Sequence, residues 1–184
     1  AGKSTLLRVI ATQWQPSGGS GCVLGFDLEK ERREIRRRIG AVFHECFLRP
    51  EFTLLENLRF AADLYRVPVD AGVEWAESLG LGHRLKDRTR TFSEGMTKRA
   101  SLARSLVHKP ALWLLDEPFA GLDPSGQEQL RGIVSDYVAS GNTAIVVTHH
   151  LDLASDLASD VYEVNDGELS VVEEEGAVAI EEGD

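Results

Sequence analysis

Apolar residues along the chain follow two rhythms. Nearly continuous apolar runs at residues 40–43, 111–115 and 144–147 have the length of strands, and the last two are apolar enough to be buried on both faces. Between 53 and 108 the rhythm changes. Leu54, Leu55, Leu58, Ala61, Ala62 and Tyr65 recur at helical spacing, and no strand-like run intervenes. Strands alternating with helical periodicity predict an α/β fold, a mainly parallel sheet core with a helical insert subdomain at about 53–108. Polar residues follow each strand at its carboxyl end: His44, then Asp116-Glu117-Pro118, then Thr148-His149. An open α/β sheet gathers its ligand at that edge. The stretch Gly18-Gly19-Ser20-Gly21 is too short to link domains and predicts a turn before Val23 and Leu24.

Composition narrows the class. With 42% hydrophobic residues in 184, the chain can bury a core, which excludes disorder, collagen and coiled coil for the whole. No apolar run approaches the ~18 residues that span a bilayer, so the chain is not expected to cross a membrane by itself. Cys22 and Cys46 have no metal-site spacing, and a reduced, cytoplasmic setting suits them. The net charge of −10 is unevenly spread, because every Lys and Arg lies at or before Arg131 and 13 acids follow with no base. Residues 173–184 hold six of those acids and read as a solvated, disordered tail. The acidic total disfavours a nucleic-acid partner, although residues 32–38 keep a local basic helix.

Two clusters carry candidate chemistry. Gly2-Lys3-Ser4-Thr5 before Leu6-Leu7-x-x-Ile10 has the form of the second half of a phosphate-binding loop. There the backbone N–H groups of a helix start bind phosphate, the Lys reaches its oxygens and the Ser hydroxyl takes Mg2+. An ordinary helix start fits the same four residues. Leu112-Trp113-Leu114-Leu115-Asp116-Glu117 is an apolar strand ending in adjacent carboxylates. Alternation sends the two side chains different ways, one toward a metal shell and the other toward a water, with Glu117 as general base or water-orienting group.

The ordered set Ser93-Glu94-Gly95-Met96, Lys98-Arg99-x-x-Leu102-Ala103-Arg104, Leu114-Leu115-Asp116-Glu117-Pro118, Gly121-Leu122-Asp123-Pro124 and Val147-Thr148-His149 resembles the motifs of an ATP-binding cassette (ABC) ATPase. The resemblance runs over residues 1–172 and implies a P-loop NTPase domain using ATP and Mg2+. It implies Gly2, Lys3, Ser4 and Thr5 as phosphate residues, Ser4 and Asp116 on the metal, Glu117 as catalytic carboxylate and His149 as the switch histidine. Ser93 and Gly95 would belong to a signature loop capping the nucleotide of a second ATPase protomer, its helix starting at Thr97, with Asp123 in the loop between the two sites. Integral membrane permease subunits are the implied partners, at the cytoplasmic face of the cell membrane.

Three departures from the family pattern stand out. Glu94 and Met96 replace the usual Gly and Gln, and Glu94 is expected to face solvent because a carboxylate near a triphosphate is repelled. His44 stands where a Gln usually contacts Mg2+, and either takes over that catalytic contact or merely ends a strand. The family pattern also begins some tens of residues earlier, so the polypeptide as written is expected to bind ATP poorly. The segment 39–44 with Leu48, Thr53, residues 56–60 and Leu64-Tyr65 resembles the haem-exporter ATPases of cytochrome c maturation. A general multidrug or sodium exporter ATPase, a soluble non-transport ABC ATPase and a non-enzymatic remnant are the alternatives.

Overall fold

Three parallel strands form the centre of the protein, in the order in which they occur along the chain. The computed structural model describes residues 2–149 and 157–172, so the acidic tail expected at 173–184 lies outside the described residues. The chain enters through α1 (Lys3–Ile10), a short antiparallel hairpin of β1 (Cys22–Val23) and β2 (Phe26–Asp27), and α2 (Arg32–Arg36). It then forms β3 (Ile39–Val42), α3 (Leu54–Tyr65), α4 (Asp70–Ser78) and α5 (Glu94–Ser105). The sheet continues with β4 (Leu112–Asp116), α6 (Pro124–Ala139) and β5 (Thr143–Val147), and a second hairpin of β6 (Tyr162–Asn165) and β7 (Glu168–Val171) follows. In register, Ile39 faces Leu112, and Leu112 in turn faces Thr143. The strands lie within a residue or two of the apolar runs at 40–43, 111–115 and 144–147.

Every residue of β4 is buried, as a central strand covered on both faces must be. Its alternation splits the core. Trp113 and Leu115 join Val42, Leu54, Leu58 and Leu102 on one face, and Leu112 and Leu114 join Leu7, Ile35 and Phe43 on the other. The Trp113 Nε1 proton goes to Ser105 Oγ at 2.9 Å, and its ring meets Tyr137 edge-on at 5.3 Å. Tyr137 donates its buried hydroxyl to Pro110 O at 2.7 Å. Gly40 lets β3 lie against the last turn of α5, since a Cβ there would collide with the Ser105 carbonyl oxygen and stand 2.9 Å from Pro110 Cγ.

The helices between β3 and β4 have local causes. Thr53 and Glu56 form a capping box at the start of α3, with Glu56 Oε2 accepting from Thr53 N at 2.7 Å. From within α3, buried Asn57 reaches back to exchange hydrogen bonds with both backbone groups of Arg49, at 2.7 and 3.1 Å, and fixes the segment after β3. At the far end, the Tyr65 ring stacks on His108 at 3.7 Å, while His108 Nε2 bonds Ile39 O at 2.9 Å. Among the described residues no helix is long and apolar enough to cross a membrane.

Candidate active site

The carboxyl ends of β4 and β5 meet the amino end of α1. Gly2 caps that helix at φ 103°, a left-handed conformation that glycine adopts without a Cβ penalty, and Lys3 begins the first turn. The unpaired N–H groups and positive dipole end of α1 therefore sit at the sheet edge where anions are favoured. Ser4 Oγ donates to Asp116 Oδ1 at 2.9 Å, joining residues 112 positions apart. Asp116 is buried at 5% exposure.

Glu117 leaves the strand path. It stands at φ 48°, a strained setting for a residue with a Cβ, and it lines the same depression as Ser4, whereas alternation alone would send it away from Asp116 and Ser4. Its amide donates to Val147 O at 2.8 Å, and its Oε2 accepts from Thr148 Oγ1 at 3.2 Å and from His149 N at 3.4 Å. Oε1 is buried and has no hydrogen-bond donor among the described residues, although His149 Nε2 stands 3.5 Å away. That separation makes an ion pair only if the imidazole is charged. An acceptor oriented this way, at the edge of a shallow depression, suits a water or a ligand-bound donor. Gly2, Lys3, Ser4, Thr5, Glu117, Val147 and His149 line the depression.

The expected site residues thus fall into two groups. Lys3, Ser4, Thr5, Gly2, Glu117 and His149 are brought together, and Asp116 joins them through Ser4. Ser93, Gly95 and Asp123 do not line the depression and lie at the starts of α5 and α6. Ser93 Oγ accepts from Met96 N at 3.3 Å, which starts α5 at Glu94, three residues before the helix start expected at Thr97. Gly95 packs on the next motif, because a Cβ there would stand 3.1 Å from Gly121 O. Asp123 caps α6, accepting from Gly126 N at 3.3 Å and Ser125 Oγ at 2.9 Å, and the Ser125 bond leads the effects that hold its carboxyl below the usual range. Glu94 is exposed, with its carboxylate over Gly121.

His44 is exposed and does not line the depression, although its neighbour Glu45 reaches Arg8 of α1 at 3.3 Å. Two supporting residues stand in the motifs but had no role in the site assigned from the sequence. Thr148 and Lys98 both bond Glu117, Lys98 through Nζ to the backbone oxygen at 3.1 Å. Thr148 was legible as a polar residue closing a strand, whereas nothing in the pattern marks Lys98 as inward.

The donor set fits Mg2+ with a nucleotide. A hydroxyl and a carboxylate oxygen side by side are hard ligands, and Mg2+ takes one or two protein oxygens and completes its octahedron with phosphate and water. No group of three or more His, Cys, Asp or Glu forms a metal cage among the described residues.

Comparison with known proteins identifies the family. The ABC transporter family model matches residues 1–120. The daunorubicin/doxorubicin resistance ATP-binding protein DrrA of Streptomyces peucetius is 34% identical over 92% of this chain and 52% of its own length. The lipoprotein-releasing system ATP-binding protein LolD of Pseudomonas fluorescens is 36% identical over 94% of this chain and 80% of its own. A solved dimeric ATP-binding cassette in a post-hydrolysis state, bound to ADP and Pi, has a TM-score of 0.82 at 26% identity and covers 92% of this chain and 80% of that one. The chain spans between 52% and 57% of the length of three relatives it matches. By the family model and by these identities, the chain belongs to the ABC transporter ATP-binding family.

Proposed function

We propose that this chain is the ATP-binding and ATP-hydrolysing domain of an ABC exporter, acting as a pair of protomers on separate membrane permease subunits at the cytoplasmic face. One observation carries the reading: a helix amino end with Lys3 and Ser4, the Ser4–Asp116 pair, and a carboxylate whose buried Oε1 has no donor among the described residues converge on one depression. The α1 amides and Lys3 bind the phosphates, and Ser4 with Asp116 holds the metal, which when bound neutralises charge developing on the phosphoryl oxygens. Glu117 Oε1 accepts a hydrogen bond from the attacking water and orients it. His149, with its side chain 80% exposed, is free to swing between Glu117 and a phosphate. Ser93, Gly95 and Asp123 serve the partner protomer's nucleotide, which accounts for their separation from the depression. His44 is proposed to reach the site when the protomers close. Residues 1–172 form the domain, with 53–108 as its helical part.

The names of the two relatives, a drug-resistance protein and a lipoprotein-releasing one, favour export of drug-like or lipid-linked cargo. Haem export for cytochrome c biogenesis is the narrower reading and draws only on the sequence resemblance at residues 39–44, Leu48, Thr53, residues 56–60 and Leu64-Tyr65. Neighbouring cytochrome c maturation genes would select it, and unrelated permease genes would remove it.

Glu117→Gln in the full protein tests the hydrolytic reading. Hydrolysis is expected to fall by about 10²–10⁴-fold, with ATP binding retained. A Gln variant hydrolysing at the unmodified rate would exclude Glu117 from the reaction.

A further inference from the structure

Lys98 lies on α5 at 7% exposure, and its Nζ donates to the backbone carbonyl of Glu117 at 3.1 Å. An ammonium removed from water requires a strong acceptor. Lys98 forms no ion pair among the described residues, and its hydrogen bond goes to a peptide oxygen. That oxygen belongs to the residue at φ 48°, which the surrounding structure must hold in place. Other holds on Glu117 come from β5 and from its own turn: its amide bonds Val147 at the end of β5, Oε2 bonds Thr148 and His149 just beyond, and its carbonyl also accepts from Ala120 N at 3.4 Å, longer than the Lys98 bond. Lys98 supplies the hold from α5, the helix whose first turn contains Gly95 packed on Gly121.

We propose that Lys98 is a positioning residue: by holding the Glu117 carbonyl it fixes the left-handed turn, aims the carboxylate at the depression, and ties that aim to the seating of α5. The proposal rests on reading Glu117 as the hydrolytic carboxylate. Movement of α5, including any imposed at Ser93 by a partner protomer, then reaches the carboxylate through one ammonium group.

The test compares Lys98→Met, which keeps the length and apolar stem, with Lys98→Gln, which keeps an N–H donor, in the full protein. For the Met variant kcat is expected to fall ~30–100-fold, as a displacement near 1 Å would cause. KM for ATP is expected to stay within about twofold, the signature of an interaction that matters at the chemical step. Lys98→Gln is expected to recover roughly tenfold of that loss. A crystal structure of the Met variant reads the turn directly and is expected to show Glu117 relaxed to negative φ. Lys98→Ala repeats the removal if the Met variant does not fold. An inert wild-type protein whose variant still shows the relaxed turn refutes the hydrolytic reading and leaves the positioning role standing. An active wild type with equal kcat in the removal and Gln variants, or Glu117 still at positive φ after removal, overturns the inference.

Discussion

Gly40→Ala and Gly132→Ala are the same chemical change with opposite expected signs. At Gly40 the added methyl meets the Ser105 carbonyl oxygen, which is backbone and held in the last turn of α5, and stands 2.9 Å from Pro110 Cγ. Neither neighbour can rotate away, so β3 must move off α5 against its pairing with β4. Overpacking of this kind costs about 2–3 kcal/mol. For a chain of this size that is a fall in Tm of ~4–12 °C. Gly132 lies inside α6, exposed, and a Cβ there meets nothing within 4 Å. Replacing it removes backbone freedom from the unfolded chain and raises stability by about 0.5–1 kcal/mol, or ~1–4 °C. Calorimetric melting of both variants and of the double variant is the assay. The two sites share no neighbour, so the double variant should sum the singles to within about 0.5 kcal/mol. A Gly40→Ala protein as stable as wild type would refute the close approach of β3 to α5, and a destabilised Gly132→Ala would refute the helical placement of that residue.

Acid stability should depend on His108. Burial pushes its pKa down from 6.5 to about 4, so the folded protein keeps the ring neutral where the unfolded chain binds a proton. Its contribution is therefore complete above about pH 6.5 and is lost as pH falls toward 4, a span worth ~3 kcal/mol. His108→Phe, which keeps a ring over Tyr65, should flatten urea-derived stability across that window, and an unchanged slope would count against the assignment. Tyr137→Phe removes the donor to Pro110 O and should lower the urea midpoint by the equivalent of about 1–2 kcal/mol. The same hydroxyl is pushed up to about 12 by burial, so Tyr137 should be absent from a spectrophotometric titration of the folded protein near pH 10.

The centre of the sheet was legible because β4 is buried, whereas β5, expected to be buried on both faces as well, has Thr143 exposed and its other four residues only half-buried. A strand covered on both faces is nearly all apolar, as Leu112 to Leu115 is, and the polar residues just after it mark where the strand ends. The phosphate end of α1 and the Asp116-Glu117 pair were legible from residue type and order. The direction of Glu117 was not, because it depends on a positive φ that no alternation rule foresees. The hairpins escaped notice because strands of two to four residues are too short to establish a period. The Asp166-Gly167 turn of β6–β7, with both residues at positive φ, was nonetheless a readable signal. The start of α5 was misplaced at Thr97 although Ser93 followed by an acid is a cap signal in its own right. Lys98 could not be read, since a lysine among polar neighbours on a helix is taken for a solvated one until its neighbours are known.

The left-handed backbone at Glu117 also sets a limit on how this protein can be improved. Glycine at that position would adopt the same turn freely, relieving strain of about 1–2 kcal/mol, while deleting the carboxylate on which hydrolysis is proposed to depend. Heat resistance and turnover therefore pull residue 117 in different directions. Laboratory evolution that selects only survival at high temperature would be drawn toward inert proteins here, and a useful screen must demand activity in every round.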